Sequence, residues 1–277
     1  MTDIYIHVGL ARTATTWLQE ELFSKLNNVN YIAKTKNNYP QWLINWHYLD
    51  DYAFDKNIED IKFNLNKNIN KNQVNILSSE AFTNMSVKYS QAKRIKKIAP
   101  NAKIIITLRD PIDLIKSHYK FHIKEGLYFL ELDKYLDWKR TPYVLFKRKP
   151  FYLPDLFYDE IIEYYQRLFG KENILILKYE DMINNPELYF SKLSEFIGIR
   201  IDYKNFQLSK KVNEGSNKNI AELKFLNFKN FLKSNMNIDI NKLSLKNNQF
   251  NFTDTIMSYE LRKKLEQYFK GKCFGYY

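Results

Sequence analysis

The segment Ile4-Tyr5-Ile6-His7-Val8-Gly9-Leu10-Ala11-Arg12-Thr13-Ala14-Thr15-Thr16-Trp17 passes from a β-branched run directly into a helical pattern. A strand that feeds straight into a helix brings backbone N–H groups and the positive end of the helix dipole together, which favours an anion. The segment keeps the frame of the phosphate loop G-x4-G-K-[ST], but Ala14 and Thr15 replace the second glycine and the lysine. Its cation is Arg12 instead. The pattern predicts an anion-binding loop that disfavours a triphosphate with Mg²⁺.

Short β-branched runs and amphipathic helical patterns alternate along the rest of the chain. The predicted strands are residues 4–8, 74–77, 103–108 and 174–177. The predicted helices are residues 15–26, 112–123, 155–169, 186–197 and 254–269. Strands that alternate with helices predict an α/β fold, with a central parallel sheet flanked by helices and ligands at the carboxyl ends of the strands.

Two stretches, residues 37–72 and 125–153, break this alternation, and long insertions commonly carry specificity. We expect a single domain over residues 1–277, with both insertions shaping the acceptor site. The second stretch is rich in aromatic side chains, which suit either an acceptor lid or packing beneath a solvated loop. Within the first, apolar residues recur every four positions over residues 60–72, which is typical of a helix.

The composition is that of a globular protein, with 45% hydrophobic and 27% charged residues. No apolar run reaches the roughly 18 residues that a membrane span needs, and the N-terminus lacks the features of a signal peptide. We therefore expect a cytoplasmic protein, with peripheral membrane association left open. The single cysteine, Cys273, allows no internal disulfide. The net charge of +12 favours anionic partners, although lysine is spread along the whole chain rather than gathered in a patch.

A second anion site is predicted after the strand at 103–108, where Arg109-Asp110-Pro111 opens a helix. Ser117 follows Arg109 by eight residues, which is about two helical turns. An arginine at a strand end and a serine on the following helix together can hold one phosphate.

These motifs resemble the nucleotide-dependent sulfotransferase family, whose donor is 3′-phosphoadenosine-5′-phosphosulfate (PAPS) and whose nucleotide product is the 3′,5′-bisphosphate PAP. Residues 9–18 are similar to the family's 5′-phosphosulfate loop, P-K-[ST]-G-T-T-[WS]-L, and Arg109 with Ser117 to its 3′-phosphate motif. Residues 179–182, Tyr-Glu-Asp-Met, are similar to its Y-E-D-[LM] segment. The resemblance covers most of the chain and implies the P-loop NTPase-like sulfotransferase fold, with no metal required.

The resemblance also implies roles for particular residues. Arg12 stands at the lysine that neutralises the bridging oxygen as the sulfuryl group leaves, although an arginine cannot donate a proton to it. Tyr179 stands at the tyrosine that lies against the adenine. Ala14 replaces a glycine and narrows the backbone angles that this position can adopt. The other residues expected to contact the nucleotide are Thr13, Thr15, Thr16 and Trp17 in the first loop, and Lys211, Asn213 and Ser216 in a basic loop over the 3′-phosphate.

Sulfuryl transfer to an alcohol or amine needs a general base, and Glu80 follows the strand at 74–77. The family places a histidine or glutamate there, so Glu80 is the candidate base, and its alternative role is that of an acid at a helix N-terminus. His7 on the first strand is the second candidate, although a strand histidine is more often part of the core. His118 and His122 have the i, i+4 spacing of metal ligands but lack an evident further ligand, so no metal is assigned.

The sequence thus indicates a sulfotransferase that acts on a hydroxyl or amine, with a carbohydrate or glycoconjugate as the preferred acceptor because Glu80 and the aromatic insertions suit one. An amide-type or lipid-linked acceptor also fits. The alternatives are a P-loop nucleotide phosphotransferase, which would need Mg²⁺ and a loop lysine, and a non-catalytic binder of adenosine nucleotides or anionic polymers. Nucleic-acid binding ranks last, since only bulk charge favours it.

Overall fold

The computed structural model describes residues 4–32, 40–83, 88–139, 151–208, 219–236 and 256–276. The chain divides into two compact units, of which the first comprises Met1–Asp110 and Tyr158–Val212 and the second Pro111–Phe157 and Asn213–Tyr277. The strands are β1 Ile4–His7, β2 Val29–Ile32, β3 Val74–Ser78, β4 Lys103–Leu108, β5 Leu136–Asp137, β6 Phe151–Tyr152 and β7 Ile174–Lys178. The α-helices are α1 Thr15–Trp17, α2 Gln41–Tyr48, α3 Asp51–Asn68, α4 Lys88–Ile98, α5 Pro111–Lys124, α6 Leu132–Tyr135, α7 Tyr158–Phe169, α8 Tyr179–Asn184, α9 Pro186–Ile197, α10 Ile220–Met236 and α11 Tyr259–Phe269.

The first unit is built on a five-stranded sheet in the order β2-β3-β1-β4-β7. Every pairing in it is parallel, which confirms the predicted α/β architecture. The chain leaves β1 toward the β2 edge and leaves β4 toward the β7 edge, so the strand order reverses between β1 and β4. Ligands of open parallel sheets bind at such a reversal, outside the carboxyl ends of the strands. The loop after β1 and the corner at Arg109 therefore flank the expected site.

The strands read as continuous apolar runs because both faces of the sheet are covered. β1, β3 and β4 are almost fully buried along their length. One face of the sheet packs in a hydrophobic cluster with α9 and with the helical segment that follows β1. The principal members of this cluster are Tyr5, Trp17, Leu18, Leu22, Ile76, Ile105, Leu177, Phe190, Leu193 and Ile197. This packing fixes the first helical turn after residues 8–14, the loop that we call the phosphate loop, against the sheet.

Most predicted helices of the first unit form, with shifted ends. The helix predicted at 186–197 matches α9, since Asn185 accepts a hydrogen bond from the N–H of Leu188 and Gly198 ends the helix in a left-handed conformation. The segment 15–25 is helical but changes type, from α through a π turn at Leu18–Leu22 to a 3₁₀ turn. The helix predicted from 155 begins at Tyr158, because a 3₁₀ turn at Leu153–Leu156 precedes it.

The stretch 37–72 does not interrupt the alternation in its described part, residues 40–72. It contains α2 and α3 and connects β2, which the sequence analysis did not find, to β3. The helix expected over 60–72 is the second half of α3, which ends at Asn68 because Ile69 turns to an extended conformation. In place of an insertion, the structure has the crossover of a β-α-β unit. Whether it shapes the acceptor site stays a prediction.

The second unit contains α5, α6, α10, α11 and the two-stranded sheet of β5 and β6. α10 lies against α5, where Asn227 donates to the carbonyl of Ile123 at 2.7 Å. The buried Lys224 pairs with Glu131 at 2.8 Å. The helix predicted at 254–269 begins at Tyr259, with Ser258 as its N-cap. In the part of the chain that the structure describes, no helix is long and apolar enough to cross a membrane.

Candidate functional site

The loop after β1 is held against the sheet through its backbone. The carbonyl of Gly9 accepts a hydrogen bond from Thr83 Oγ1 at 2.7 Å. A Cβ at Gly9 would lie 2.5 Å from Thr107 Oγ1, so only a glycine fits this close approach. Further along, Arg12 and Ala14 both have left-handed backbone conformations, with φ of 73° and 63°. Left-handed residues in such a loop turn successive N–H groups toward one side, which makes a concave anion-binding surface.

The three threonines of the loop do not all face its outer surface. Thr13 is 1% exposed, and its hydroxyl donates to the carbonyl of Leu10 at 2.6 Å. Thr15 is equally buried, and its hydroxyl lies 3.3 Å from the same carbonyl. The hydroxyl of Thr13 thus uses its hydrogen inside the loop. Contact of Thr13, Thr15 and Thr16 with the 5′-phosphate stays a prediction. Thr16 is only half-buried, and the first amides of a helix have no partner within it.

Arg12, Glu80 and Arg109 come together at the carboxyl end of the sheet. Burial lowers the pKa of Arg12, the nearby carboxylate of Glu80 raises it, and the like charge of Arg109 lowers it further. Glu80 opens a 3₁₀ turn directly after β3 and is exposed. Two cations and one carboxylate from three strand ends thus share one electrostatic environment.

Arg109 forms the second half of this arrangement. Its Nη1 donates to the carbonyl of Arg12 at 3.0 Å, so it braces the phosphate loop. Its guanidinium lies over the ring of Tyr179, 4.5 Å from the ring centre. Its Nε is buried and has no hydrogen-bond partner among the described residues. A buried, unpaired guanidinium nitrogen is costly, and it suits an anionic partner.

Two residues that sequence reasoning missed fix the Arg109 corner. The hydroxyl of Tyr158 donates to the carbonyl of Arg109 at 2.7 Å. The carboxylate of Glu180 accepts from the N–H of Asp110 at 2.9 Å. The signal for Glu180 was present, because it stands in the Tyr-Glu-Asp-Met segment beside Tyr179. Tyr158 gave no signal, since an aromatic residue at the start of a helix is ordinary.

His7, the second candidate for the base, is not available for that role. It is fully buried in β1 between β3 and β4, and both ring nitrogens are occupied, Nδ1 by Ser78 Oγ at 2.7 Å and Nε2 by Thr107 Oγ1 at 3.1 Å. Burial lowers its pKa to about 3, so the ring is neutral near pH 7.

Trp17 is also buried, and its indole N–H donates to the carbonyl of Gln207 at 3.1 Å.

Of the remaining predicted site residues, one lies in the second unit and three lie outside the described residues. Ser117 is on α5 in the second unit, and its pairing with Arg109 stays a prediction. Lys211, Asn213 and Ser216 lie outside the described residues.

The spacing of His118 and His122 has an explanation within the second unit. The Nδ1 atoms of both rings contact the hydroxyl of Tyr135. The i, i+4 spacing therefore brings the two rings to one buried tyrosine. Within the described ranges, no group of three potential metal ligands occurs.

A family profile described as a sulfotransferase domain matches residues 2–275. The chain belongs to the sulfotransferase family. It is therefore an enzyme that transfers a sulfuryl group. A search of curated protein sequences gave no match.

A solved sulfotransferase structure agrees with the fold of this chain. A sulfotransferase from Alicyclobacillus acidocaldarius is 17% identical, with 86% of this chain and 97% of that chain covered and a TM-score of 0.55. The sulfotransferase domain of an olefin synthase from Synechococcus PCC 7002 is 14% identical over 97% and 94%, with a TM-score of 0.46. A mouse sulfotransferase complexed with PAP is 13% identical over 98% and 84%, with a TM-score of 0.44.

The geometry gives this sulfotransferase three chemical capabilities at one sheet edge. The loop amides and Arg12 can bind a phosphate-like group and stabilise negative charge that develops on it. Arg109 offers a second cation, braced by Tyr158 and by the Arg12 carbonyl. Glu80 is an exposed carboxylate that can accept a proton.

Proposed function

We propose that this sulfotransferase takes its sulfuryl group from PAPS, releases PAP, and transfers the group to a hydroxyl or amine of a carbohydrate or glycoconjugate. The observation that carries the proposal is the convergence of Arg12, Glu80 and Arg109 at the strand-order reversal, together with the unpaired Nε of Arg109. The two cations, Arg12 and Arg109, suit a donor that carries phosphate at two positions. When bound, the donor supplies a sulfuryl group activated by an anhydride bond to its 5′-phosphate.

The residues of the first loop would hold the 5′ end of the donor. The amides of residues 14–16 and the half-buried Thr16 hydroxyl supply hydrogen bonds, and Arg12 supplies positive charge. Arginine keeps its proton at any working pH, so Arg12 acts by stabilising charge on the leaving oxygen rather than by protonating it. Arg109 would hold the 3′-phosphate and Tyr179 would lie near the adenine, because these are the roles of the matching family positions.

Glu80 would accept the proton of the acceptor hydroxyl or amine. Its exposure suits this role, since the acceptor must reach it from outside. The charge of the nearby Arg12 attracts this carboxylate. Carbohydrate is preferred because the stretch 125–153 contains aromatic residues able to stack on sugar rings. A cytoplasmic location stays part of the proposal.

Turnover of the donor tests this function. The chain is incubated with PAPS and a mixture of neutral and amino-sugar oligosaccharides, and the PAP formed is measured by chromatography. Glu80→Gln is expected to lower kcat by about 10²- to 10⁴-fold, the usual contribution of a general base, with little change in PAP affinity. Glu195→Gln, an exposed acid on α9, serves as the control and is expected to keep native kcat. Equal kcat for Glu80→Gln and native protein would refute the assignment of the base.

A further inference from the structure

A chain of hydrogen bonds, buried except where the half-buried Gln19 joins it, runs beneath the phosphate loop and crosses three strands. It links Gln19, Ser78, His7, Thr107 and Thr13 in that order, at 2.9, 2.7, 3.1 and 2.8 Å. It ends where the hydroxyl of Thr13 reaches the carbonyl of Leu10 in the loop. His7, Ser78, Thr107 and Thr13 are each at most 1% exposed. No member of this chain serves as a base or faces the ligand in the proposed mechanism.

The direction of every hydrogen bond in this chain follows from its last contact. A carbonyl only accepts, so Thr13 donates its single hydroxyl hydrogen to Leu10. Thr107 must then donate to Thr13, and it can only accept from His7. His7 therefore carries its proton on Nε2.

The other half of the chain completes the assignment. The Nδ1 of His7 is an acceptor and receives the Ser78 hydroxyl, while Ser78 accepts from the amide of Gln19. One neutral tautomer of His7 satisfies all five members. The lowered pKa of His7 agrees with a ring that holds one proton.

The Leu10 carbonyl is the centre of the loop's internal contacts. It accepts from the Thr13 hydroxyl, the Thr13 N–H and the Thr15 hydroxyl, at 2.6, 3.3 and 3.3 Å. These contacts span the two left-handed positions, Arg12 and Ala14, which both cost conformational energy. At the other end, Gln19 lies in the π turn at Leu18–Leu22, and such turns are frequent at functional sites.

We propose that His7 is a positioning residue for the phosphate loop, and that its Nε2–H, acting through Thr107 and Thr13, holds the loop in its anion-binding conformation. The inference rests on the proposed function, because it assigns a cause to the affinity of the loop for the 5′ end of the nucleotide. It predicts that the conformation of the loop depends on the Nε2–H of His7, which faces Thr107, and not on the volume of the His7 side chain.

Two variants of His7 distinguish its Nε2 contact with Thr107 from its Nδ1 contact with Ser78. In His7→Gln the terminal amide can place an N–H donor where Nε2 stands, and in His7→Asn the carbonyl can replace only the Nδ1 acceptor. PAP affinity is measured by calorimetry, exchange of the amides of residues 14–17 by hydrogen–deuterium exchange, and global stability by urea unfolding. We expect His7→Asn to weaken PAP binding by about tenfold or more and to speed exchange of the loop amides, and His7→Gln to restore both toward native values.

These measurements test the role of His7 separately from the proposed function. Equal affinities and exchange rates in His7→Asn and His7→Gln overturn it, whether both are weakened or both are native. If the native chain binds no PAP, the proposed function fails, and the exchange of the loop amides alone then supports or overturns the inference. If His7→Asn does not fold, Thr107→Val and Thr107→Ser replace the pair, because only the serine keeps the donor to Thr13. Loss in the valine variant with recovery in the serine variant supports the inference, and equal behaviour overturns it.

Discussion

Ala14 adopts a backbone conformation that glycine would adopt at lower cost, with φ 63° and ψ 22°. A left-handed conformation costs an L-residue about 1–2 kcal/mol, whereas glycine loses about 0.5–1 kcal/mol through the entropy of the unfolded chain. We therefore predict that Ala14→Gly raises the free energy of unfolding by about 0.5–1 kcal/mol and does not weaken PAP binding. Urea unfolding and calorimetry check the two parts.

Ala11 supplies the matched control, because it lies in the same loop and does not have a positive φ. Ala11→Gly is expected to lower stability by about 0.5–1 kcal/mol, since only the entropic cost of glycine applies there. Equal effects of the two substitutions would contradict the claim that the backbone at Ala14 is strained.

The sequence predicts which residues reach the sheet edge. It does not predict the directions of the threonine hydroxyls in the loop. Arg12, Glu80 and Arg109 follow strand ends, and parallel strands bring their carboxyl ends to one edge. The inward direction of the Thr13 hydroxyl depends on Thr107, which is 94 residues away. A long-range contact of this kind has no local sequence signal.

Among the helices, α4 carries a buried arginine that joins α2 and α3 to it. Arg94 donates to the carbonyls of Trp46 and Leu49 at 2.9 and 2.6 Å and pairs with Asp51. Because these carbonyls would lose a charged donor, we predict that Arg94→Met lowers the free energy of unfolding by about 2–4 kcal/mol.

The control for Arg94 lies one turn further along α4. Lys97 pairs with Asp55 on α3, and both side chains are about half exposed. Lys97→Met is therefore expected to change the free energy of unfolding by less than about 1 kcal/mol. Urea unfolding compares the two variants, and a similar loss from both would contradict the role given to Arg94.

Elements with strong local signals were predicted, and those that depend on partners were not. β1 and β4 are runs of apolar residues, and α9 has an asparagine cap and a terminal glycine, which are local features. β2 has only four residues and includes Asn30, whose amide donates to Asn75 on β3 at 2.8 Å. That strand is recognisable only once β3 is beside it, so the sequence alone predicts an insertion over residues 37–72.

For the protein as a whole, buried histidines make stability depend on pH. Burial lowers the pKa of His47 to about 4 and that of His7 to about 3, while the unfolded chain titrates near 6.5. Below pH 6.5 the unfolded state binds more protons than the folded state, so stability falls as the pH falls.

The pH effect is tested by comparing the free energy of unfolding of the native protein with that of a histidine variant. Between pH 7.5 and 5.0 each such histidine lowers the free energy of unfolding by about 2 kcal/mol. We predict that His47→Gln loses about 2 kcal/mol less over this range than the native chain, as measured by urea unfolding at both pH values. The same pH-dependent loss in both chains would show that His47 is not kept neutral by the fold.

Calorimetry tests the proposed donor site most directly, by comparing the binding of PAP, AMP and ATP to the native chain, Arg109→Ala and Arg167→Ala. Arg167 is the control because its guanidinium also lies over a tyrosine ring, that of Tyr164 at 5.0 Å, away from the proposed site. We expect micromolar PAP binding without added metal that AMP does not share, a loss of at least about tenfold in Arg109→Ala, and native affinity in Arg167→Ala. Tighter binding of ATP with Mg²⁺ than of PAP, or PAP affinity unchanged in Arg109→Ala, would contradict the proposed donor site.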